Sequence, residues 1–217
     1  NITLVNAVAN AYAVMGKEQE ARQLLDGARD VQGVYESAFN AMYSESVEGI
    51  IDLQQGRQRQ AAARFRLAAS MSRTRDAFSF IGTNGNAWAG VLHASSVYEA
   101  NDLPLATRLL NVYAPLARDI GLPDHMLLAD TMLARIAFHD GDLDKAFQIL
   151  TVLELTGHKR QLPRVVASAR LQRAHLLLLQ GDDQAAHAEL ERADDPATWA
   201  RVQRLRLLAN DLDTAHI

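Results

Sequence analysis

The chain contains no cysteine. Disulfides, Cys-ligated zinc and thiol catalysis are thereby excluded. No run of 18 apolar residues occurs, so no transmembrane helix and no membrane partner are expected. No basic-then-apolar leader opens the chain, which agrees with a cytoplasmic address. Aromatic residues are only 6% of the total, and β-branched runs are scarce, which leaves little material for strands. Charge of one sign is not in excess: 22 Lys and Arg face 26 Asp and Glu, a net of −4. A chain built to coat nucleic acid is disfavoured by that balance. A hydrophobic share of 48% argues against intrinsic disorder. No G-x-x-x-x-G-K-[ST] phosphate loop is present. What is abundant is alanine and leucine, about three residues in ten, a helix-forming composition. Asn1 rather than Met stands first, so the 217 residues are expected to be a piece of a longer protein.

The residues that are present repeat. A Gly or Asn is followed five residues later by Ala at Gly16/Ala21, Gly56/Ala61, Asn101/Ala106, Gly141/Ala146 and Gly181/Ala186. A weaker copy pairs Asn210 with Ala215. These anchors are spaced 40, 45, 40, 40 and 29 residues apart. Seven residues before each of the first five sit Ala9, Gly49, Ala94, Ala134 and Ala174. Nine after them sit Leu25, Phe65, Leu110, Leu150 and Leu190, and twelve after them Ala28, Ala68, Tyr113, Leu153 and Ala193.

Each offset has a physical reading. Gly or Asn takes the left-handed conformation that closes a helix. Asp102, Asp142 and Asp182 then cap the helix that follows. Small residues before and after the anchor let two antiparallel helices approach closely, and the large apolar residue fills the space beside them. Stacked hairpins of this kind form a solenoid. Stop and start signals place first helices at 2–15, 35–55, 84–100, 123–140, 163–180 and 196–209, and second helices at 17–30, 57–74, 102–119, 142–156 and 182–193. Pro115 is expected to kink or shorten its helix. Gly82-Thr-Asn-Gly85-Asn reads as a loop or a distorted helix start.

These offsets resemble the tetratricopeptide signature over residues 1–193, with an echo in 194–217. The expected fold is an all-α, right-handed α-solenoid of about five to six hairpins, one repeat domain over 1–217. The long period, with Leu133-Ala-Arg-Ile-Ala-Phe-His-Asp-Gly-Asp-Leu-Asp-Lys-Ala146 and Arg173-Ala-His-Leu-Leu-Leu-Leu-Gln-Gly-Asp182, looks like the helical sensor region of MalT-like, ATP-dependent LuxR-type transcriptional regulators of bacteria. That resemblance implies nucleotide-binding and helix-turn-helix modules outside this chain, so DNA would be bound by a missing C-terminal domain and not by this fragment.

The tetratricopeptide resemblance further implies a concave groove lined by first helices, at thirteen, ten, six, three and two residues before each anchor. Those positions hold Asn6 and Asn10, Tyr43 and Ser46, Trp88, Ser95, Tyr98 and Glu99, Thr131, Arg135, Phe138 and His139, and Ser168 and His175. Aromatic rings among single polar groups suit a small-molecule effector or an extended peptide. The ligand candidates are Asn10, Tyr43, Ser46, Trp88, Ser95, Tyr98, Arg135, His139 and His175. Each has a plainer alternative. Tyr98 and Phe138 can pack between hairpins, and Trp88 can be buried between the second and third. Asn6 and Asn10 can grip a peptide backbone or simply be polar. Arg135 can meet a ligand anion or pair with Glu99 or Asp130. His139 with Asp140 and Asp142 matches no metal-ligand spacing, and no cofactor is expected. Residues 57–75 hold Arg57, Arg59, Arg64, Arg66, Arg73 and Arg75 and no acid. They read as a docking stripe or, in preference, as a solvated face balanced by Glu36, Glu45, Glu48 and Asp52.

Two functions fit. One is a ligand- or partner-sensing module of a MalT-type regulator, relaying binding to neighbouring domains. The other is an adaptor holding an extended peptide. No catalytic constellation converges, so an enzyme is not expected.

Overall fold

The computed structural model describes residues 2–32, 38–71 and 80–193. Every element it holds is helical: α1 (Ile2–Val14), α2 (Glu18–Gln32), α3 (Ala38–Gln54), α4 (Gln58–Met71), α5 (Phe80–Glu99), α6 (Leu103–Ile120), α7 (Pro123–His139), α8 (Leu143–Lys159), α9 (Pro163–Leu179) and α10 (Asp183–Ala193). Consecutive pairs form hairpins 1 to 5. The sixth hairpin expected from the sequence lies outside the described residues.

The chain divides into two compact units, Asn1–Ile120 and Gly121–Ile217. In the first, α1 packs on α2, α3 on α4 and α5 on α6. The first helices also run side by side, α1 beside α3 and α3 beside α5. In the second, α7 packs on α8 and α9 on α10, with α7 beside α9 and α8 against α9.

The turn inside each hairpin is built as its sequence requires. Gly16, Gly56, Asn101, Gly141 and Gly181 all have positive φ, from 62° to 82°. In the first hairpin the Lys17 amide donates to the Tyr12 carbonyl and the Gly16 amide to Ala13. The same pair of bonds recurs at every anchor, and it satisfies carbonyls that a helix end leaves bare. The side chains of Asp102, Asp142 and Asp182 accept from the amides of Leu105, Lys145 and Ala185 at 3.1, 3.2 and 3.0 Å. They are the N-caps the spacing predicts.

The small-residue rows are buried in all five hairpins. Ala9, Ala94, Ala134 and Ala174 before the anchors, and Ala21, Ala61, Ala106, Ala146 and Ala186 after them, are at most 1% exposed. Leu25, Phe65, Leu110 and Leu150 fill the space beside them. Hairpin 2 departs from the pattern in a compensated way. It has Gly49 where the others have Ala, and Phe65 where the others have Leu. A Cβ on Gly49 would lie 2.7 Å from the Phe65 Cδ1 atom, so the ring occupies the volume a methyl group would need. Gly90 stands in the same relation to the Tyr113 ring.

Two local expectations are corrected. Gly82–Asn86 is neither a loop nor a break, because α5 is helical from Phe80. Two glycines cost about 1 kcal/mol each in a helix interior, too little to stop a 20-residue helix that packs on α4 and α6. Nor does Pro115 end its helix, since α6 runs on to Ile120. Pro115 and Asn111 are both exposed, so the carbonyl freed by the missing N–H faces water rather than a dry core.

Candidate functional site

The first helices present their outer rows on one surface within each unit. Positions thirteen and six before the anchor are seven residues apart and share a helix face. In the first unit these rows hold Tyr43 and Trp88, then Asn10, Ile50 and Ser95, all half-buried. Tyr98 is half-buried three residues before its anchor, and Leu53, at the same position of hairpin 2, is exposed. Tyr43 also packs on the core formed by Ala9, Ala13, Leu25, Val47 and Ile51. It is therefore anchored in the core while remaining half-buried. The Oδ1 atom of Asn10 is buried without a hydrogen-bond partner.

In the first unit the row ten residues before the anchor does not belong to this surface. Ser46 is 1% exposed and its hydroxyl donates to the Met42 carbonyl of its own helix at 2.9 Å. Asn6 is fully buried and clips α1 to α3: its amide donates to the Asn40 carbonyl at 3.4 Å, and the Ser44 hydroxyl donates to its Oδ1 at 3.2 Å. Both residues are removed from the ligand-lining set. In the same register Val91 and Leu171 are buried as well, while Thr131 is half-buried.

In the second unit the corresponding surface carries a guanidinium and an imidazole. Arg135 and His175 stand six residues before their anchors on α7 and α9, and both are half-buried. The Arg135 guanidinium donates twice to the Oε1 atom of Gln172, at 3.1 Å from Nε and 2.8 Å from Nη2. The sequence weighed a ligand anion or a nearby acid as partner; the neutral amide of α9 fills that place. Burial pushes the His175 imidazole below its ordinary range, and the Arg135 charge adds to the shift. Ser168 and Thr131 are half-buried, and His139 is exposed. Phe138 packs on the core of Ala134, Ala137, Leu150 and Leu176, the plainer of its two readings. Among the described residues no three His, Asp or Glu side chains are grouped so as to hold a metal. None of the described helices is long and apolar enough to cross a membrane.

The arginine-rich stretch is split by the fold. Arg59 and Arg66 are exposed, while Glu36, Arg73 and Arg75 lie outside the described residues. Arg57 and Arg64 instead turn inward. Asp52 accepts from Arg57 at 3.0 and 2.6 Å and from Arg64 Nε at 2.8 Å. Glu45 accepts from Arg64 at 2.9 Å, and Glu48 accepts from Arg22 of α2 at 2.8 Å. The side chains of Glu48 and Asp52 are 3% and 6% exposed. The expected solvated face is thus a part-buried network, in which Arg22, Arg57 and Arg64 keep 36%, 37% and 33% of their side chains exposed. Burial opposes the Arg64 charge, but the hydrogen bonds it donates to Glu45 and Asp52, with the charges of Glu45 and Glu48, outweigh it and raise its pKa.

A second network ties α8, α9 and α10. Glu154 accepts from Arg170 at 2.7 Å and Arg173 at 2.8 Å, and Glu189 accepts from Arg173 at 3.0 Å. Burial alone pushes the Glu154 carboxyl up, but hydrogen bonds from Arg170 and Arg173, with their charges, hold it below the usual carboxylate range. The sequence reading missed this network and the Gln172 contact. The signal was available as charged residues eight and eleven before, and eight after, the anchors of hairpins 2 and 5.

No family model matches the chain and no curated protein matches it. Two solved structures do, both of a candidate kinesin light chain from Podosopora anserina with nearly identical tetratricopeptide-like repeats. A single-substitution variant superposes with a TM-score of 0.61 at 17% identity, covering 94% of this chain and 96% of that one. Its parent gives 0.60 at 17%, with 94% and 97% covered. At this identity the likeness speaks to the fold: an all-α solenoid of tetratricopeptide-like hairpins.

Proposed function

We propose that the chain is a protein-interaction module that holds an extended segment of a partner protein against its first helices. The observation that carries this is the side-by-side packing of α1, α3 and α5, with Tyr43, Trp88, Asn10 and Ser95 half-buried on shared rows. Rings held at one edge give contact area at little entropic cost. Single polar groups between them suit the backbone of an extended chain. The second unit is a separate surface, where the Arg135 guanidinium, matched only by the neutral Gln172 amide, suits an acidic side chain of a bound segment.

The alternative of a MalT-type sensor rests on the likeness of residues 133–146 and 173–182, and the comparisons add nothing specific to it. A small-molecule effector stands on the same footing. The adaptor reading is preferred because its demands, an open row and scattered rings, need no enclosed cavity.

The test is selection of peptides from a random display library on the 217-residue chain, repeated with Trp88→Ala and Arg135→Gln. Peptides held by the first unit are expected to lose most of their affinity to Trp88→Ala, and peptides held by the second to carry acids and to lose that preference with Arg135→Gln. Trp88→Ala should keep most of the stability, well short of the roughly 3–5 kcal/mol of a core tryptophan. A library that yields no enriched peptide, or peptides indifferent to both substitutions, refutes the reading.

A further inference from the structure

The two part-buried networks occupy the same register with opposite signs. Eleven and eight residues before the anchor, hairpin 2 has Glu45 and Glu48, and hairpin 5 has Arg170 and Arg173. Eight after it, hairpin 2 has Arg64 and hairpin 5 has Glu189. Within each hairpin the signs complement each other, through Arg64–Glu45 at 2.9 Å and Arg173–Glu189 at 3.0 Å. The preceding hairpin supplies the third charge. Arg22 of hairpin 1 reaches Glu48 at 2.8 Å and Asp52 at 3.6 Å. Glu154 of hairpin 4 reaches Arg170 at 2.7 Å and Arg173 at 2.8 Å. Arg22 and Glu154 lie six and thirteen residues after their anchors, a separation of seven that places them on one helix face. The same positions in hairpin 1 are apolar, Val5, Val8 and Leu24.

We propose that these networks of opposite polarity specify which hairpin stacks on which. Hairpins that share one backbone register and one set of small-residue rows can stack in a wrong order, or on a second copy of the chain, at little cost in packing. The charges remove that freedom. Hairpin 5 placed on hairpin 1 sets Arg22 against Arg170 and Arg173. Hairpin 2 placed on hairpin 4 sets Glu154 against Glu45 and Glu48. Like charges brought together in a part-buried contact are unfavourable, whereas the correct order pairs every one of them. Buried ion pairs add little net stability over apolar packing, and fixing register is their best-attested use. Specificity built by repulsion in the wrong partner follows the same logic.

The experiment inverts one network in the full chain. Glu154→Arg alone should lower the folding equilibrium constant at least about tenfold, the range of coupled neighbours. Adding Arg170→Glu, Arg173→Glu and Glu189→Arg should recover most of that loss, since complementarity is restored with the same residue types. Hairpin 4 then offers a positive charge that suits the acids of hairpin 2 in another copy. On refolding from urea at high protein concentration, the fourfold variant should give more high-mass species by light scattering than the parent. The proposal is overturned if Glu154→Arg melts like the parent, or if the folded fourfold variant refolds with the parent's size distribution. Should the fourfold variant not fold, the milder pair Glu154→Gln and Arg173→Gln decides. Additive effects on the unfolding constant overturn the proposal, and coupling between them supports it.

Discussion

Hairpin 2 allows a sharp test of how the repeat packs. Gly49→Ala places a methyl group 2.7 Å from the Phe65 Cδ1 atom, well inside contact distance. Phe65 is 1% exposed, so the ring cannot swing into solvent, and either it or α3 must shift. Overpacking of this kind costs about 1–3 kcal/mol. Replacing glycine inside a helix returns roughly 0.5–1 kcal/mol. The net expectation is a loss of about 1–2 kcal/mol. Phe65→Leu alone leaves a gap where part of the ring was, and costs about 1 kcal/mol, between the small and large truncations of a core. The double variant recreates the Ala–Leu pair that hairpin 4 uses at Ala134 and Leu150. It should lie near the parent, with a favourable coupling of about 1–3 kcal/mol between the two sites. Urea melts of the four chains, compared at equal m-value, give the number. Strictly additive effects, or a Gly49→Ala chain as stable as the parent, would refute the claim that ring and glycine share one volume.

Further outcomes follow from the same structure. Ala134→Leu adds bulk to a crossing that is 1% exposed and lined by Ala137, Ala146, Leu150 and Leu176; a loss of about 1–3 kcal/mol is expected, and an unchanged chemical melt would mean the helices do not meet there. His125 is 6% exposed, and burial pulls its pKa down to about 4 against a weaker opposing pull from Asp124. The folded state resists the proton that the unfolded state accepts near pH 6.5. Stability should therefore be complete above about pH 6.5 and fall steadily as pH drops toward about 4. His93 and His175, shifted down by burial and then by Arg66 and Arg135 respectively, act in the same direction. Urea midpoints measured across that range check this, and His125→Gln should flatten the slope; a slope left intact would assign the acid sensitivity elsewhere.

The sequence alone determined the repeat and its register. Left-handed anchors, aspartate caps, alanine rows and the large residue beside them are local or follow a fixed helical period. The left-handed anchors hold in every described hairpin, the aspartate caps in hairpins 3 to 5, and small residues at every crossing, with Gly49 for alanine in hairpin 2, because a close crossing of two helices tolerates only small side chains. The tertiary structure decided which face each remaining side chain meets. Ser46 and Asn6 sit one register step from Tyr43 and Asn10, yet both are buried, Asn6 through hydrogen bonds with Asn40 and Ser44 of α3. Helical period fixes direction around one axis, while burial depends on how the next hairpin packs. The same holds for charge. Arg57 and Arg64 look like members of an exposed basic stripe along α4, but Asp52 and Glu45 on α3 draw them inward. Arg135 was legible as a polar residue on a first helix; its partner Gln172, 37 residues away, was set by α7 and α9 lying side by side. Pairings between hairpins belong to the packing, since a repeat period gives each helix its faces but not the depth at which its neighbour sits.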